Sequence, residues 1–219
     1  HYRGTMTDRT SAASPSSTPK SVPAIAVDAA FDGGNIRVVA IDGDRIDLEI
    51  VADHRSDFFQ WFSFRIAGAG GRTVRLRILN AGKSAYPFGW PGYKVRASTD
   101  RQAWRMVDTA YTDGVLEWTW VSDAPIAWFA YFAPYTMEMH HDLVARTAAA
   151  PGATYRRLGT SLDGQAIDAF RFGTGAKPVW LYARQHPGES MAEWWMDGAL
   201  AWLASDAAAP LLAAATVHV

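Results

Sequence analysis

The sequence contains no cysteine among its 219 residues, which excludes disulfide bonds and thiolate metal sites. It also lacks an excess of one charge, because 21 Lys and Arg against 22 Asp and Glu leave a net charge of −1. Together with the absence of a basic stripe, this balance argues against a nucleic-acid partner. No apolar run is long enough for a membrane span, since residues 199–219 are interrupted by Ser205, Asp206 and Pro210. We therefore expect neither nucleic acid nor membrane as a partner.

The N-terminus lacks the apolar core of a secretion signal, which favours a cytoplasmic location. Residues 1–23 combine five tag-like residues ahead of Met6 with a tail rich in Ser, Thr, Ala and Pro. That composition cannot bury enough apolar surface to fold, so we predict that this tag and tail are disordered.

Residues 24–150 are predicted to form an all-β antiparallel sandwich that ends in a junction helix. Within 72–80, Val74, Leu76 and Ile78 alternate with polar residues, as in a strand with one buried face. Gly-rich turns separate the candidate strands, which indicates a sandwich. The predicted strands are 25–28, 35–41, 45–51, 58–67, 72–80, 93–98, 116–121 and 126–132.

The ten tryptophans leave two interpretations of the sandwich open. An aromatic cluster could form a sugar- or peptide-binding platform, but core packing is the ordinary role of such residues. The residues concerned are Trp118, Trp120, Trp128 and Phe129. The aromatic loop at 86–92 is a candidate for an inter-domain contact or a substrate rim.

The junction helix is predicted to begin after Thr136, which can cap it, and to run to about Arg146. His140 and His141 point about 100° apart on such a helix, so we place them on its surface or at a domain interface rather than on one metal. Residues 148–152 are a linker. Residues 155–161 and 166–172 then flank Asp-Gly as a hairpin that opens the unit at 151–219.

A tight turn contains the strongest candidate for a metal site. A strand predicted over 178–183 leads into it, and a helix over 191–203 leads out, so His186 and Glu189 can face one point. Imidazole nitrogen and carboxylate oxygen are zinc ligands. The residues alone leave two possibilities open: a metal site, or an ordinary turn whose Glu suits the helix dipole. A similar spacing at His54 and Asp57 is interpreted as a solvated turn.

The helix that follows this turn is predicted to bury an apolar stripe, while Glu193 and Asp197 on its polar face point to water. The stripe consists of Met191, Trp194, Trp195, Ala199, Trp202 and Leu203.

The segment Ala-Arg-Gln-His-Pro-Gly-Glu-Ser at 183–190, with the following 191–198, resembles the zinc-site segment of zinc metallocarboxypeptidases. The nearest branch is the bacterial form of the cytosolic carboxypeptidase (deglutamylase-like) group, whose sandwich junction the Pro-Tyr-Thr at 134–136 also resembles. The resemblance implies that His186 and Glu189 are ligands of Zn2+ and that residues 151–219 are the first part of an α/β zinc-carboxypeptidase domain. It further implies peptide or protein C-termini as substrates, with glutamate a candidate C-terminal residue.

In that family the strand resembling 216–219 is followed by segments that carry the third zinc ligand, the substrate-binding Arg and Asn, and the general base. None is present here, and His218 lies mid-strand, so we predict a truncated chain without catalytic residues and without activity of its own. Two alternatives stay open: a zinc-dependent acyl-amino-acid deacylase of the same superfamily, and a non-enzymatic peptide- or glycan-binding sandwich.

Overall fold

The structure is a computed structural model that describes residues 23–219. The predicted disorder of the tail therefore falls on residues that lie outside the described part, apart from Pro23. Two separate clusters of buried apolar residues organise the described chain, one in the sandwich and one around the helices that follow it. The domain limits at 24–150 and 151–219 stay a prediction. No helix within residues 23–219 is long and apolar enough to cross a bilayer.

Ten strands pair into the two sheets of the sandwich. The first sheet has the order β1-β4-β10-β6-β7 and the second the order β2-β3-β5-β9-β8. The strands are β1 (Ala26–Asp28), β2 (Arg37–Asp42), β3 (Arg45–Glu49), β4 (Ser63–Ala67), β5 (Arg72–Ile78), β6 (Val95–Ser98), β7 (Arg105–Val107), β8 (Thr109–Thr112), β9 (Val115–Ser122) and β10 (Ile126–Ala130).

The predicted sandwich is confirmed, but it is not wholly antiparallel. Strands β3 and β5 pair in parallel, with Arg45 opposite Arg75 and Leu48 opposite Ile78. The chain leaves the second sheet after β3, forms β4 in the first sheet and returns as β5, so both strands run in the same direction. Hydrophobic alternation reports which face of a strand is buried and carries no information about strand direction.

The edge strands differ most from the prediction. Strands β7 and β8 were not predicted, because they are short and mostly exposed and so lack a clear apolar face. The interior strand predicted over 58–67 also differs: it begins only at Ser63, because residues 58–62 form no regular strand pairing.

The sandwich core is aromatic. Phe62, Phe64 and Phe129 are fully buried, and Trp118 lies 6.2 Å from Phe64 and 5.6 Å from Phe129 between ring centroids. Trp120 is only 3% exposed. The platform interpretation is therefore wrong for these residues, because rings within the core cannot bind a sugar or a peptide; Trp128 is half-buried.

The aromatic loop at 86–92 divides between core and surface. The Trp90 indole N–H is buried and lies 2.8 Å from the Ala81 carbonyl oxygen and 2.9 Å from Ser84 Oγ. Phe88, in contrast, is 80% exposed. Trp90 thus anchors the loop while its tip remains accessible.

The remaining elements form a four-stranded sheet covered by helices. The sheet order is β11-β12-β14-β13, and β13 and β14 are parallel, as expected for an α/β unit. The predicted hairpin and final strand are confirmed. The elements are α1 (Met137–Ala148), β11 (Thr154–Thr160), β12 (Ala166–Phe172), β13 (Lys177–Trp180), α2 (Ser190–Leu203), α3 (Ala209–Ala214) and β14 (Ala215–His218).

Helix α1 begins as predicted. The Thr136 side chain accepts a hydrogen bond from the Met139 backbone N–H, and Asp32 from the sandwich accepts one from the N–H of Met137 at 2.7 Å. Both acceptors satisfy N–H groups that have no partner within the first turn of a helix. The junction helix is therefore tied to the sandwich at its first residue.

The apolar stripe predicted on α2 is correct for Leu203 and Ala199, which pack in the second core cluster, and wrong for Met191 and the three tryptophans. Helix α2 rests on the sheet through Met196, Leu200 and Leu203, whereas Trp195 and Trp202 are 57% and 46% exposed. The helix is apolar around most of its circumference, so several stripes satisfy the same 3.6-residue period. Packing against β12 and β14, rather than the sequence pattern, determines which face of α2 is buried.

Candidate metal site

The connection from β13 to α2, residues 181–189, carries the two predicted metal ligands. Strand β13 ends at Trp180, three residues earlier than predicted, so His186 lies in the loop rather than at the strand end. Glu189 is the N-cap residue of α2, and its backbone N–H donates to the His186 carbonyl oxygen at 3.0 Å. This bond closes a turn that directs both side chains the same way. We call residues 184–189 the metal turn.

His186 and Glu189 are brought together and open to solvent. His186 Nδ1 lies 3.1 Å from Glu189 Oε2, and the two side chains are 79% and 50% exposed. Two ligand atoms at about 2.0–2.1 Å from zinc in tetrahedral geometry lie roughly 3.3 Å apart. The pair thus fits two positions of a zinc site. Within residues 23–219 no group of three His, Cys, Asp or Glu side chains is placed to hold a metal.

Of the other described histidines, His54 and His141 lie at the surface as predicted, whereas His218 ends β14 instead of lying in mid-strand. His54 lies in an exposed turn, and His141 is on the exposed face of α1. The His218 ring stacks on Trp180 at 4.4 Å between centroids. The described structure therefore brings only His186 and Glu189 together among the residues considered as ligands.

Glu193 and Asp197 do not point to water as predicted. The Glu193 carboxylate is 13% exposed and lies between a histidine and an arginine, with Oε1 2.6 Å from His140 Nδ1 and Oε2 2.7 Å from the Arg184 guanidinium. Asp197 accepts hydrogen bonds from the Tyr135 hydroxyl at 2.9 Å and from Arg146 at 2.7 Å. Helix α1 packs over this face of α2, and no local sequence pattern predicts that contact.

His140 is held between two carboxylates. Its Nε2 lies 3.1 Å from Asp168 Oδ2 on β12, while Nδ1 faces Glu193. Both ring nitrogens can donate only in the protonated imidazole. The hydrogen bond to Glu193 is the main reason why the pKa of His140 is raised; burial opposes the rise and Asp168 adds to it.

The same contacts act in the opposite direction on Glu193. Burial alone would raise the pKa of its carboxyl group, but hydrogen bonds from His140 and Arg184 outweigh that effect and lower it. The network is therefore a row of alternating charges: Arg184, Glu193, His140 and Asp168. The helical pattern predicts His140 at a surface or interface but indicates no partner for it.

Stability is expected to decrease as the pH rises above 6.5, the ordinary pKa of His140. The folded protein keeps this proton where the unfolded chain loses it, so the contribution is complete below pH 6.5 and is lost as the pH passes the raised folded value. Glu193 affects stability at acidic pH. Its contribution to the free energy of unfolding is complete above pH 4.5, the ordinary pKa of the group, and is lost as the pH falls through its lowered pKa. Urea unfolding followed by circular dichroism across this range measures both.

The variant His140→Gln should flatten the decline above pH 6.5, because it removes the titrating group. His54→Gln, in an exposed turn of the sandwich, is the matched control and should keep the wild-type slope. An equal slope in the wild type and His140→Gln would contradict the assignment.

Comparison with known proteins supports the family suggested by the sequence. Residues 27–132 match the family described as cytosolic carboxypeptidase N-terminal domain. An uncharacterized protein of Zymomonas mobilis is 57% identical over 174 residues, which cover 80% of this chain and 46% of that protein.

Solved structures of metallo-carboxypeptidases are also similar to this chain. A metallo-carboxypeptidase from Burkholderia cenocepacia is 35% identical with a TM-score of 0.84, over 89% of this chain and 55% of that one. A metallo-carboxypeptidase from Pseudomonas aeruginosa, in complex with (2-guanidinoethylmercapto)succinic acid, is 36% identical with a TM-score of 0.80, over 88% and 54% of the two chains. The present chain spans about half the length of these relatives. Over the matched regions it is similar to bacterial metallo-carboxypeptidases, and its residues 27–132 match the cytosolic carboxypeptidase N-terminal domain.

Proposed function

We propose that this chain contributes two zinc ligands, His186 and Glu189, to a zinc metallocarboxypeptidase that removes C-terminal residues from peptides or proteins. The 3.1 Å approach of His186 Nδ1 and Glu189 Oε2 on an exposed turn carries the proposal. Similarity to metallo-carboxypeptidases supports it, because a metal ion is part of that activity. A zinc ion bound here would polarise a scissile carbonyl and activate water as the nucleophile.

The described residues would serve this chemistry by holding the two metal ligands in position and open to solvent. His186 offers an imidazole nitrogen and Glu189 carboxylate oxygens, and their high exposure leaves room for substrate and water. The N-cap position of Glu189 fixes its backbone at the start of α2. We propose no general base within the described residues, since Glu193 is engaged by His140 and Arg184.

Peptide and protein C-termini are the proposed substrates, with C-terminal glutamate as one candidate. The relative from Pseudomonas aeruginosa is in complex with a succinic acid derivative, which supports recognition of carboxylates in that protein. The family's description as cytosolic supports a cytoplasmic location for the present protein.

We further propose that the 219-residue chain alone binds zinc weakly and shows no peptidase turnover. Catalytic zinc sites have three protein ligands and an open position, and the described residues bring together only two. Incubation of the purified chain with zinc and a C-terminally labelled peptide should release no amino acid. Zinc-dependent release that disappears in Glu189→Ala would refute this part.

Isothermal titration of the chain with Zn2+ tests the proposed ligands. We expect one weak site in the wild type and its loss in His186→Ala and in Glu189→Ala, because each substitution leaves a single ligand. His54→Ala is the matched control, since that imidazole is exposed and distant from the turn in sequence. Equal zinc affinity in the wild type and His186→Ala would overturn the assignment.

A further inference from the structure

The metal turn is stabilised by an arginine whose backbone has a positive φ angle. Arg184 has a φ of 56°, in the left-handed region that non-glycine residues seldom adopt. The Arg184 side chain folds back onto residues of the metal turn. There Nε donates to the Pro187 carbonyl oxygen at 3.0 Å. The guanidinium thus supports the residue next to His186 directly.

The other end of the guanidinium joins the turn to the rest of the fold. It donates to the Tyr135 carbonyl oxygen at 2.8 Å and to Glu193 Oε2 at 2.7 Å. Glu193 in turn meets His140 of α1, and His140 meets Asp168 of β12. Asp168 also accepts from the Tyr155 hydroxyl at 2.8 Å. The metal turn is therefore linked to α1, α2 and the hairpin through one row of charges.

The segment between the sandwich and α1, residues 133–136, receives further hydrogen bonds from the start of α2. The Ala133 carbonyl oxygen accepts from Ser190 Oγ at 2.7 Å and from the Trp194 indole N–H at 3.2 Å. Ser190, which follows Glu189, is fully buried. The position of Glu189 is thus fixed by the residues through which the sandwich continues into α1.

The metal turn contains few internal hydrogen bonds that fix the orientation of its two ligands. Its described internal bonds are the Glu189 N–H to His186 oxygen bond and the contact of Arg184 with Pro187. Both proposed ligands project into solvent. Groups that orient metal ligands commonly lie behind them, and their removal weakens metal affinity roughly 10- to 100-fold.

We propose that Arg184, Glu193 and His140 are positioning residues that hold the metal turn, and that the junction at residues 133–136 gives the sandwich a part in shaping the metal site. The inference rests on the proposed function, because it takes His186 and Glu189 as metal ligands. It assigns a role to Glu193 that is distinct from catalysis, since both carboxylate oxygens are already engaged.

Metal binding by the 219-residue chain tests this role. Zinc affinity from isothermal titration, and the visible absorption of bound Co2+, are compared in the wild type, Glu193→Gln, His140→Gln and Arg184→Lys. Glu193→Gln is expected to weaken zinc binding roughly 10- to 100-fold and to change the Co2+ spectrum, while circular dichroism shows a folded chain. Arg184→Lys keeps the charge but cannot reach Pro187, Tyr135 and Glu193 together, so it should also weaken binding.

The matched control is His141→Gln, which alters the neighbouring exposed histidine of α1 and should preserve both affinity and spectrum. A purely structural role would lower the urea midpoint of the variants without changing the Co2+ spectrum of the folded fraction. If Glu193→Gln does not fold, His140→Gln and Arg184→Lys decide the question by the same two measurements.

The outcomes separate the two proposals. Folded variants with wild-type zinc affinity and Co2+ spectrum would overturn the positioning role and leave His186 and Glu189 as ligands. A wild-type chain that binds zinc no more tightly than His186→Ala would overturn the proposed function, and the positioning role with it.

Discussion

Replacement of Phe64 by alanine is expected to destabilise the sandwich by about 3–5 kcal/mol, because it leaves a cavity that the surrounding rings cannot fill. Phe64 is fully buried in β4, with Phe129 at 5.4 Å and Trp118 at 6.2 Å between ring centroids. Native domains are stable by only about 5–15 kcal/mol, so this single change removes a large part of the total. Urea unfolding followed by circular dichroism measures the loss.

Phe88→Ala is the matched control for Phe64→Ala. Phe88 is 80% exposed at the tip of the loop at 86–92 and contacts Tyr86 edge-on, so its loss should cost less than about 1 kcal/mol. Equal destabilisation by the two substitutions would show that the aromatic cluster is not the core of the sandwich. It would also reopen the interpretation of these rings as a binding surface.

Replacement of Glu193 by alanine is expected to destabilise the helical unit by about 3 kcal/mol, near the lower end for removal of one partner from a buried ion pair. The carboxylate is 13% exposed and separates the Arg184 guanidinium from His140. Without it the Arg184 guanidinium loses its carboxylate partner, and Asp168 remains as a partner only for His140. The unfolding free energy from urea titration at pH 6.5 measures the effect where His140 and Glu193 both contribute.

Glu138→Ala provides the comparison for Glu193→Ala. Glu138 is an exposed carboxylate in the first turn of α1, where it interacts favourably with the helix dipole, and its loss should cost about 0.3–1 kcal/mol. If Glu193→Ala were no more destabilising than Glu138→Ala, the network between α1 and α2 would contribute nothing to stability. The pKa directions assigned to His140 and Glu193 would then also need revision.

Local signals in the sequence located most of the elements. Alternation identified the interior strands, because a buried face imposes a period of two on a strand. Thr136 marked the start of α1, since its side chain satisfies an N–H group that the helix itself cannot. Strands β7 and β8 escaped detection because their exposed positions demand no such pattern.

The candidate ligands were likewise accessible to sequence reasoning, because His186 and Glu189 are close along the chain and a single turn brings them together. Arg184 is next to the pair, yet its role depends on Tyr135 and on Glu193, which belong to other elements. A left-handed backbone at an arginine cannot be read from residue type, since glycine and asparagine are the residues that usually indicate it.

The interior of the sandwich, the helices and the two adjacent metal-ligand candidates can be predicted from residue order, because each depends on spacing within one short segment. The parallel pairing of β3 and β5, the buried face of α2 and the contact of Glu193 with His140 depend on tertiary packing. His140 and Glu193 are 53 residues apart. Their contact exists only because α1 and α2 pack against the same sheet, a condition that no local pattern encodes.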